Sequence, residues 1–249
     1  MGVTAVRQAG ILAGTHEGEP GLPRGRSGLP TEEVRAAQRE RLVRAVIAAV
    51  AQSGFHNVTV ADIVRRARVS RAAFYAHFAD KEECFLAATS LGGRLMGDRV
   101  LVATRAVPRG ASAEDALRAS IGAFLGFLVA EPAFARAFYI DMPAAGAGAA
   151  AQLEAARRGF ARLNRIWHER AREDHPDWPA VPREAYYALA GASAELVRAV
   201  VRADAIDTLP RLADTLVALH LAVLAARPWP APPQPPPPPS PGPPPHQPQ

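Results

Sequence analysis

Apolar residues recur every three or four positions through most of the chain, which is the spacing of one face of an α-helix. The first such stripe runs from Leu42 to Val50 and ends at Gly54, a natural C-terminal stop. Further stripes cover residues 113–130, 144–172, 183–202 and 209–226, and a shorter one covers 133–140. Strand-like alternation is nearly absent. The pattern therefore predicts an all-α protein of about nine helices.

Both ends of the chain lack this periodicity. Residues 1–30 contain seven glycines, and 14 of the 22 residues from 228 to 249 are proline. Such composition favours disorder at the start and extended polyproline conformations at the end. We therefore divide the chain into a disordered arm (1–30), a first helical unit (31–84), a second helical unit (85–227) and a disordered tail (228–249).

Within the first unit, short polar signals predict where helices begin. Thr59 with Asp62 forms a capping box, and Asp80 with Glu83 forms another. Between them, a helix that ends near residue 67 is followed after a very short turn by one that begins at Ser70. Two short helices joined this tightly predict a helix-turn-helix, the arrangement that places its second helix in the major groove of DNA.

The second of these helices has two unlike faces. Phe74 and Phe78 lie four residues apart and should face the core, whereas Arg71 and Tyr75 share the opposite face. Arginine can pair with the O6 and N7 atoms of guanine, and tyrosine can donate to a phosphate. Residues 34–78 also carry eight arginines against two acids, a formal charge of +6 in a chain of net charge +5. This basic block favours a polyanionic partner, with a solvated helix face as the alternative.

The segments GFHNVTVADI (54–63), VS (69–70), FYAHF (74–78) and KE (81–82) resemble the DNA-binding domain of TetR/AcrR-type transcriptional regulators. The resemblance covers about residues 36 to 86. It implies phosphate contacts from Thr59, Tyr75, His77 and Lys81, and base contacts from Arg71, Ala72 and Ala73, with Ser70 completing the predicted DNA-binding set. The family usually has glycine where this chain has Arg68. A left-handed backbone at Arg68 would cost roughly 1 kcal/mol, so either the turn is slightly strained or its geometry differs from that of the family.

The central helices are rich in aromatic residues, most of which should be core. In proteins of this family the region encloses a small-molecule pocket, which implies an unknown, largely apolar effector. The residues predicted to line the pocket are Phe124, Phe127, Phe138, Met142, Phe160 and Trp167.

Apolar stripes on the last two predicted helices resemble the seam of a helix bundle. A monomer can bury one such stripe, whereas two adjacent striped helices predict half of a four-helix dimer interface, as the family resemblance also implies. The residues predicted to form the homodimer interface are Leu189, Leu196, Val200, Leu209, Leu212, Leu216, Leu219 and Val223.

Other classes of protein find little support. A single cysteine, Cys84, excludes an internal disulfide and fits a reducing compartment; we expect it to be a buried small residue. No apolar run has the length of about 20 residues that a membrane span needs, so we expect a cytoplasmic protein without a membrane partner. The only cluster of candidate metal ligands lacks the HExxH spacing, and we expect its members to be solvated. These members are His168, Glu169, Glu173 and His175.

The sequence contains no nucleophile elbow, phosphate loop or GxGxxG motif, so we predict neither an enzyme nor a cofactor. We predict a homodimeric, ligand-responsive transcriptional regulator that binds a palindromic double-stranded DNA operator and is most simply a repressor. The alternatives are a helical small-molecule-binding protein or an adaptor, each with a degenerate DNA-binding domain.

Overall fold

A computed structural model describes residues 10–17, 31–108 and 110–225. Nine α-helices and no strand occur among these residues, which confirms the predicted all-α class. Short 3-10 turns, and one π-helical turn after α6, connect some of the helices. The helices are α1 (Thr31–Ser53), α2 (Val60–Ala67), α3 (Arg71–Tyr75), α4 (Lys81–Ala106), α5 (Ala113–Ala130), α6 (Pro132–Arg136), α7 (Ala147–Asp174), α8 (Arg183–Arg202) and α9 (Ala213–Leu224).

The packing follows the chain order in two layers. Helix α1 packs against α2, α3 and the first part of α4, and its residues from Leu42 to Ala51 are almost all buried. Helix α4 continues away from this unit and packs against α5 and α7, while α7 pairs with α8 and α9 covers α5 and α8. The predicted boundary between residues 84 and 85 therefore falls inside one continuous helix, and α4 belongs to both units.

The last helix starts later than the sequence pattern predicted. Residues 206–212 form a 3-10 turn that contains Pro210, and the α-helix begins only at Ala213. Proline has no backbone N–H to donate and restricts the residue before it, so an α-helix cannot run through this position without a broken bond. The apolar stripe that starts at Leu209 is therefore divided between two elements.

Residues 10–17 lie against the helices, although they belong to the arm predicted to be disordered. Leu12 and Ala13 are buried in the main core. Backbone N–H groups of this segment donate to Glu131, to the carbonyl of Arg44 and to the carbonyl of Arg66. The sequence prediction is thus wrong for these eight residues. The rest of the arm, up to residue 30, and the tail from residue 228 lie outside the described residues.

Candidate nucleic-acid interface and effector cavity

Helix α2 begins with the predicted capping box. The Thr59 hydroxyl accepts from the backbone N–H of Asp62 at 3.2 Å, and the Asp62 carboxylate accepts from the N–H of Thr59 at 3.0 Å. The hydrogen bonds from Thr59 lower the pKa of Asp62, and the neighbouring Arg65 adds to the effect. The N-terminus of α2 is therefore held by a stable negative charge, as the helix dipole favours.

The turn between α2 and α3 has a left-handed residue at the position where the family usually has glycine. Arg68 adopts φ 54° and ψ 41°, in the region where glycine is favoured. Its N–H donates to the Arg65 carbonyl at 3.3 Å, and the N–H of Val69 donates to Val64 at 3.2 Å. The arginine therefore keeps the geometry of a glycine turn at a conformational cost.

Helix α3 presents the two faces that its sequence predicted. Phe74 and Phe78 are buried, whereas Arg71, Ala72 and Tyr75 are exposed. The guanidinium of Arg71 lies 5.9 Å from the centre of the Tyr75 ring, which holds both side chains on one surface. Ser70 caps the helix, because its hydroxyl accepts from the N–H of Ala73 at 3.1 Å. Ala73 itself is half-buried.

Lys81 has a different environment from the one predicted. Its ammonium group donates to the carbonyl oxygens of Phe55, His56 and Val58 at 2.9, 3.3 and 2.8 Å, and it lies 4.6 Å from the centre of the Phe55 ring. An ammonium group has three N–H donors, and all three are used within the protein. Lys81 therefore closes the turn that follows α1, and its phosphate contact stays a prediction.

His77 faces α1 and is half-buried. Its Nε2 lies 3.4 Å from the Gln38 side-chain oxygen. Burial, together with Arg35 and Arg39, lowers the pKa of His77, so the ring is neutral at pH 7 and has one N–H to donate. A phosphate contact by His77 stays a prediction, and it would be a neutral hydrogen bond.

A cavity of about 800 Å³ lies between α4, α5, α7 and α8. Four of the six predicted pocket residues line it: Phe124, Phe138, Phe160 and Trp167. Phe127 and Met142 do not line it, because both are buried in the core, where the Phe127 ring packs edge-on against Phe134. Periodicity identified these two residues as apolar and inward-facing, but it could not separate cavity wall from solid core.

The cavity also has polar groups that the sequence analysis did not single out. Arg105 and Arg170 lie at its edge, are exposed and form no ion pair within the part of the chain that the structure describes. Two further arginines on the wall, Arg157 and Arg198, pair with Glu154 and Glu195. No motif marks these residues, since only the packing of α4 against α5 and α7 brings them to one cavity.

His220 and Thr104 add polar atoms to the cavity wall. The Nδ1 of His220 lies 2.7 Å from the Leu216 carbonyl, and burial lowers the pKa of this histidine. The hydroxyls of Thr104 and Ser120 are 2.8 Å apart, whereas the buried Ser193 hydroxyl has no hydrogen-bond partner in the described residues. The cavity is therefore mainly apolar with a few fixed polar positions.

The predicted leucine seam is partly the core of a single chain. Leu189, Leu209 and Leu216 are 2 %, 0 % and 1 % exposed, so they cannot also form the surface of a dimer interface. The helix period revealed an apolar stripe, but the stripe is covered by α5 and α7 of the same chain. The half-buried members of the predicted interface are Leu196, Val200, Leu212, Leu219 and Val223.

The candidate metal cluster also differs from its prediction in one member. His168 is fully buried rather than solvated, and its Nδ1 lies 2.9 Å from the hydroxyl of Tyr186. The ring also stacks near Trp178, so His168 joins the end of α7 to the start of α8. Burial lowers its pKa. Cys84, by contrast, is buried as expected, and burial raises the pKa of its thiol.

Within the described ranges, no single helix is long and apolar enough to cross a membrane. Helix α5 passes a test of length and hydropathy only together with residues 132–144, and the two parts are bent by 100° at their joint.

Comparison with known proteins identifies relatives of the first helical unit. Residues 42–88 match the model of the bacterial regulatory proteins of the tetR family. The chain is 33 % identical over 94 residues to the HTH-type transcriptional regulator BetI of Escherichia coli, a match that covers 38 % of this chain and 48 % of BetI. The chain therefore resembles TetR-family regulators over residues 42–88, mainly within its first helical unit. It spans about half the length of the curated relatives that it matches.

Solved structures share the fold of this chain over roughly three quarters or more of its length. The fatty acid degradation regulator FadR of Bacillus halodurans aligns with a TM-score of 0.65 at 18 % identity, over 83 % of this chain and 100 % of FadR. FadR of Bacillus subtilis, in complex with stearoyl-CoA, aligns with a TM-score of 0.63 at 15 % identity, over 74 % of this chain and 98 % of its own. A TetR-like regulator from Rhodococcus sp. RHA1 aligns with a TM-score of 0.57 at 23 % identity, over 83 % and 100 %.

Proposed function

We propose that this protein is a ligand-responsive transcriptional repressor of the TetR type that binds a palindromic operator as a homodimer. The observation that carries the proposal is the combination, in one chain, of the exposed Arg71–Tyr75 surface on α3 and a mainly apolar cavity of about 800 Å³. The first suits DNA and the second suits a small molecule, and α4 runs continuously between them.

In the proposed complex, α3 enters the major groove. Arg71, at the first position of α3, is placed to bind a guanine through two hydrogen bonds, and the methyl of Ala72 is placed to meet a thymine methyl. Tyr75, half exposed on the same surface, donates to the backbone. The free N–H groups at the start of α2, next to Thr59, add a further phosphate contact.

Dimerisation is proposed to use the outer faces of α8 and α9. These faces expose small residues, Ala188 and Ala199 on α8 and Ala218 and Ala222 on α9, next to the half-buried Leu196 and Leu219. Small side chains allow two helix pairs to approach closely, and a twofold axis between them would present two α3 helices to two half-sites.

The effector is proposed to be an amphipathic anion with a long apolar chain. Helix α7 lines the cavity from Leu153 to Arg170, a length of about 26 Å at 1.5 Å per residue. Phe138 and Leu153 lie towards the first helical unit (31–84), here called the DNA-binding unit. Arg105 and Arg170 lie near the far ends of α4 and α7. A mainly apolar chamber with two arginines at one end that form no ion pair in the described residues fits a fatty acid or its acyl-CoA thioester, and the Asp174 carboxylate lines the same end. A FadR of the same fold is in complex with stearoyl-CoA.

Binding of such a molecule acts on DNA only through a difference in affinity between two conformations. The cavity walls α4 and α5 connect to the DNA-binding unit, so a conformation of the cavity that fits the effector better changes the position of α3. Release of DNA requires that this conformation fit the operator less well than the effector-free one.

The test begins with selection of bound fragments from the organism's genomic DNA, followed by fluorescence anisotropy on the selected operator. Stearoyl-CoA and stearate should release the DNA, and the uncharged octadecanol should do so weakly. Replacement of both Arg105 and Arg170 by Gln should raise the concentration of stearate needed for release at least tenfold. The matched control is Arg162→Gln, on an exposed part of α7 outside the cavity. Equal release by octadecanol, or equal effects of the control, would contradict the anionic class.

A further inference from the structure

The segment Gly10–Glu17, here called the strap, is anchored on a buried carboxylate. The N–H groups of Ile11 and Leu12 donate to the two carboxylate oxygens of Glu131 at 2.7 and 3.0 Å. Glu131 is only 5 % exposed and follows the last residue of α5, where the helix dipole disfavours a negative charge. A buried charge in this position needs donors, and the strap supplies two of them.

Gly10 is required for this anchorage. Its φ is +110°, a conformation that other residues rarely adopt, and a Cβ atom there would lie 2.2 Å from the Glu131 carboxylate oxygen. The close approach of backbone to carboxylate therefore depends on the absence of a side chain. Leu12 and Ala13 then enter the core beside α1.

The other end of the strap lies on the DNA-binding unit. The N–H of Gly14 donates to the Arg44 carbonyl of α1 at 3.3 Å, and the N–H of His16 donates to the Arg66 carbonyl of α2 at 2.7 Å. The carboxylate of Glu17 pairs with Arg65 of α2, which also lies 3.6 Å from Asp62. The strap thus runs from the end of a cavity-lining helix to the first helix of the helix-turn-helix.

We propose that the strap is an autoinhibitory latch on DNA binding, with Glu131 as its anchor. While the strap is docked, Glu17 places a negative charge on the basic unit and occupies the guanidinium of Arg65. Both effects weaken attraction to a phosphate backbone, which depends on the number of free cations. When the strap leaves Glu131, Glu17 moves away from α2, and Arg65 becomes available to DNA.

The anchor also connects the latch to the cavity. Phe124 lines the cavity on α5, and Glu131 follows seven residues later, about 10 Å along the same helix at 1.5 Å per residue. A shift of α5 on effector binding therefore moves the anchor. This connection rests on the proposed function, whereas the latch can be tested without any effector.

The test uses the full-length chain and a 30-base-pair duplex of arbitrary sequence, so that only backbone attraction is measured. Affinity is recorded between 50 and 200 mM salt for the wild type, Glu17→Gln, Glu131→Gln and the double variant. Glutamine at position 131 offers one acceptor oxygen and sets an NH₂ group against the other N–H, which should undock the strap. Glu17→Gln and Glu131→Gln should each bind the duplex more tightly at 50 mM salt. Each should also steepen the salt dependence by about one phosphate contact, a further loss of about 3.5-fold over this range.

Non-additivity distinguishes a latch from general charge effects. The double variant should bind no more tightly than Glu17→Gln. Undocking by Glu131→Gln already moves the charge of Glu17 away from α2, so its removal has no further effect. The matched control is Glu40→Gln, which removes an exposed charge 3.8 Å from Arg44 but lies outside the strap; its effect should add to that of Glu131→Gln. Gly10→Ala, which leaves every charge in place, should reproduce the gain in affinity of Glu131→Gln and guards against a folding defect particular to that variant.

The latch would be overturned by unchanged or weaker duplex binding of Glu131→Gln and Gly10→Ala, or by additivity of the Glu17 and Glu131 changes. If the wild type binds the duplex and these variants bind it equally well, the latch is wrong and the proposed function stands. If no variant binds the duplex at 50 mM salt, both proposals fail.

Discussion

The DNA-binding unit and the unit that contains the cavity (residues 85–225, here called the cavity unit) are both helical. They are stabilised by contacts between residues at different separations in the sequence. In α2 and α3, the deciding hydrogen bonds join residues three apart, such as Thr59 with Asp62 and Ser70 with Ala73. In the cavity unit, the Trp167 ring N–H donates to the carbonyl of Ala113, 54 residues away, at 2.9 Å. Function at the first end can therefore be inferred from a short sequence, whereas function at the second depends on which distant helices meet.

The largest expected effect concerns the cavity unit and its surface. Leu216→Glu should destabilise the chain by about 3–5 kcal/mol, because the side chain is buried and a charge there has no partner. Ala218→Glu, two residues on and exposed, should leave the melting temperature within a few degrees and yield a monomer. Thermal unfolding and sedimentation separate the two results. A stable, dimeric Ala218→Glu variant would place the dimer interface elsewhere.

In the DNA-binding unit, Lys81→Met should act on stability rather than on DNA. The substitution leaves three carbonyl oxygens without their charged donor, at an expected cost of about 1.5–3 kcal/mol in the free energy of unfolding. The salt slope of DNA binding should stay the same, because no phosphate contact is lost. Denaturant unfolding and a salt series on duplex DNA measure the two quantities. A slope reduced by about one would restore Lys81 to the interface.

Arg71→Ala, in contrast to Lys81→Met, should act on DNA binding rather than on stability. Its side chain is exposed and stacks on Tyr75, so its loss should leave folding nearly unchanged. On the selected operator it should cost about 1–3 kcal/mol and relax the preference at one base position in each half-site. Affinities on operator variants test this. A loss that is uniform over all sequences would identify Arg71 as a phosphate contact.

The smallest expected effect tests the turn between α2 and α3. Arg68→Gly should raise the free energy of unfolding by up to about 1 kcal/mol, since glycine adopts φ 54° without the steric penalty of a side chain. The flexibility of glycine in the unfolded chain reduces this gain. Among the described residues, Asp204 is the other residue that is not glycine and has a positive φ, of 56°. Asp204→Gly is therefore the matched control outside the DNA-binding unit. A destabilised Arg68→Gly variant would mean that the arginine side chain itself holds the turn.

The sequence alone determined most of the helices and the buried and exposed faces of α3. The bounds predicted for 113–130 and 183–202 agree with α5 and α8, because caps and prolines act on neighbouring residues. The same local rules placed Thr59 and Ser70 at helix starts, whereas they left open whether Arg68 would be left-handed. They also put Phe74 and Phe78 on the buried side, although α3 itself ends at Tyr75 and Phe78 follows it.

Only the tertiary structure decided what each apolar or charged face contacts. Periodicity marks Leu216 and Phe127 as apolar positions, but it does not show what covers them. Leu216 is buried beneath α5 of the same chain and lines the cavity rather than an interface, whereas Phe127 packs against Phe134 in the core rather than on the cavity wall. Lys81 has the sequence position of a phosphate ligand, yet three carbonyls of a distant turn use its donors. The strap shows no apolar pattern, and the buried carboxylate that orders it lies 120 residues away. A helix period reports which side is hydrophobic, whereas the partner that covers it is chosen by the whole fold.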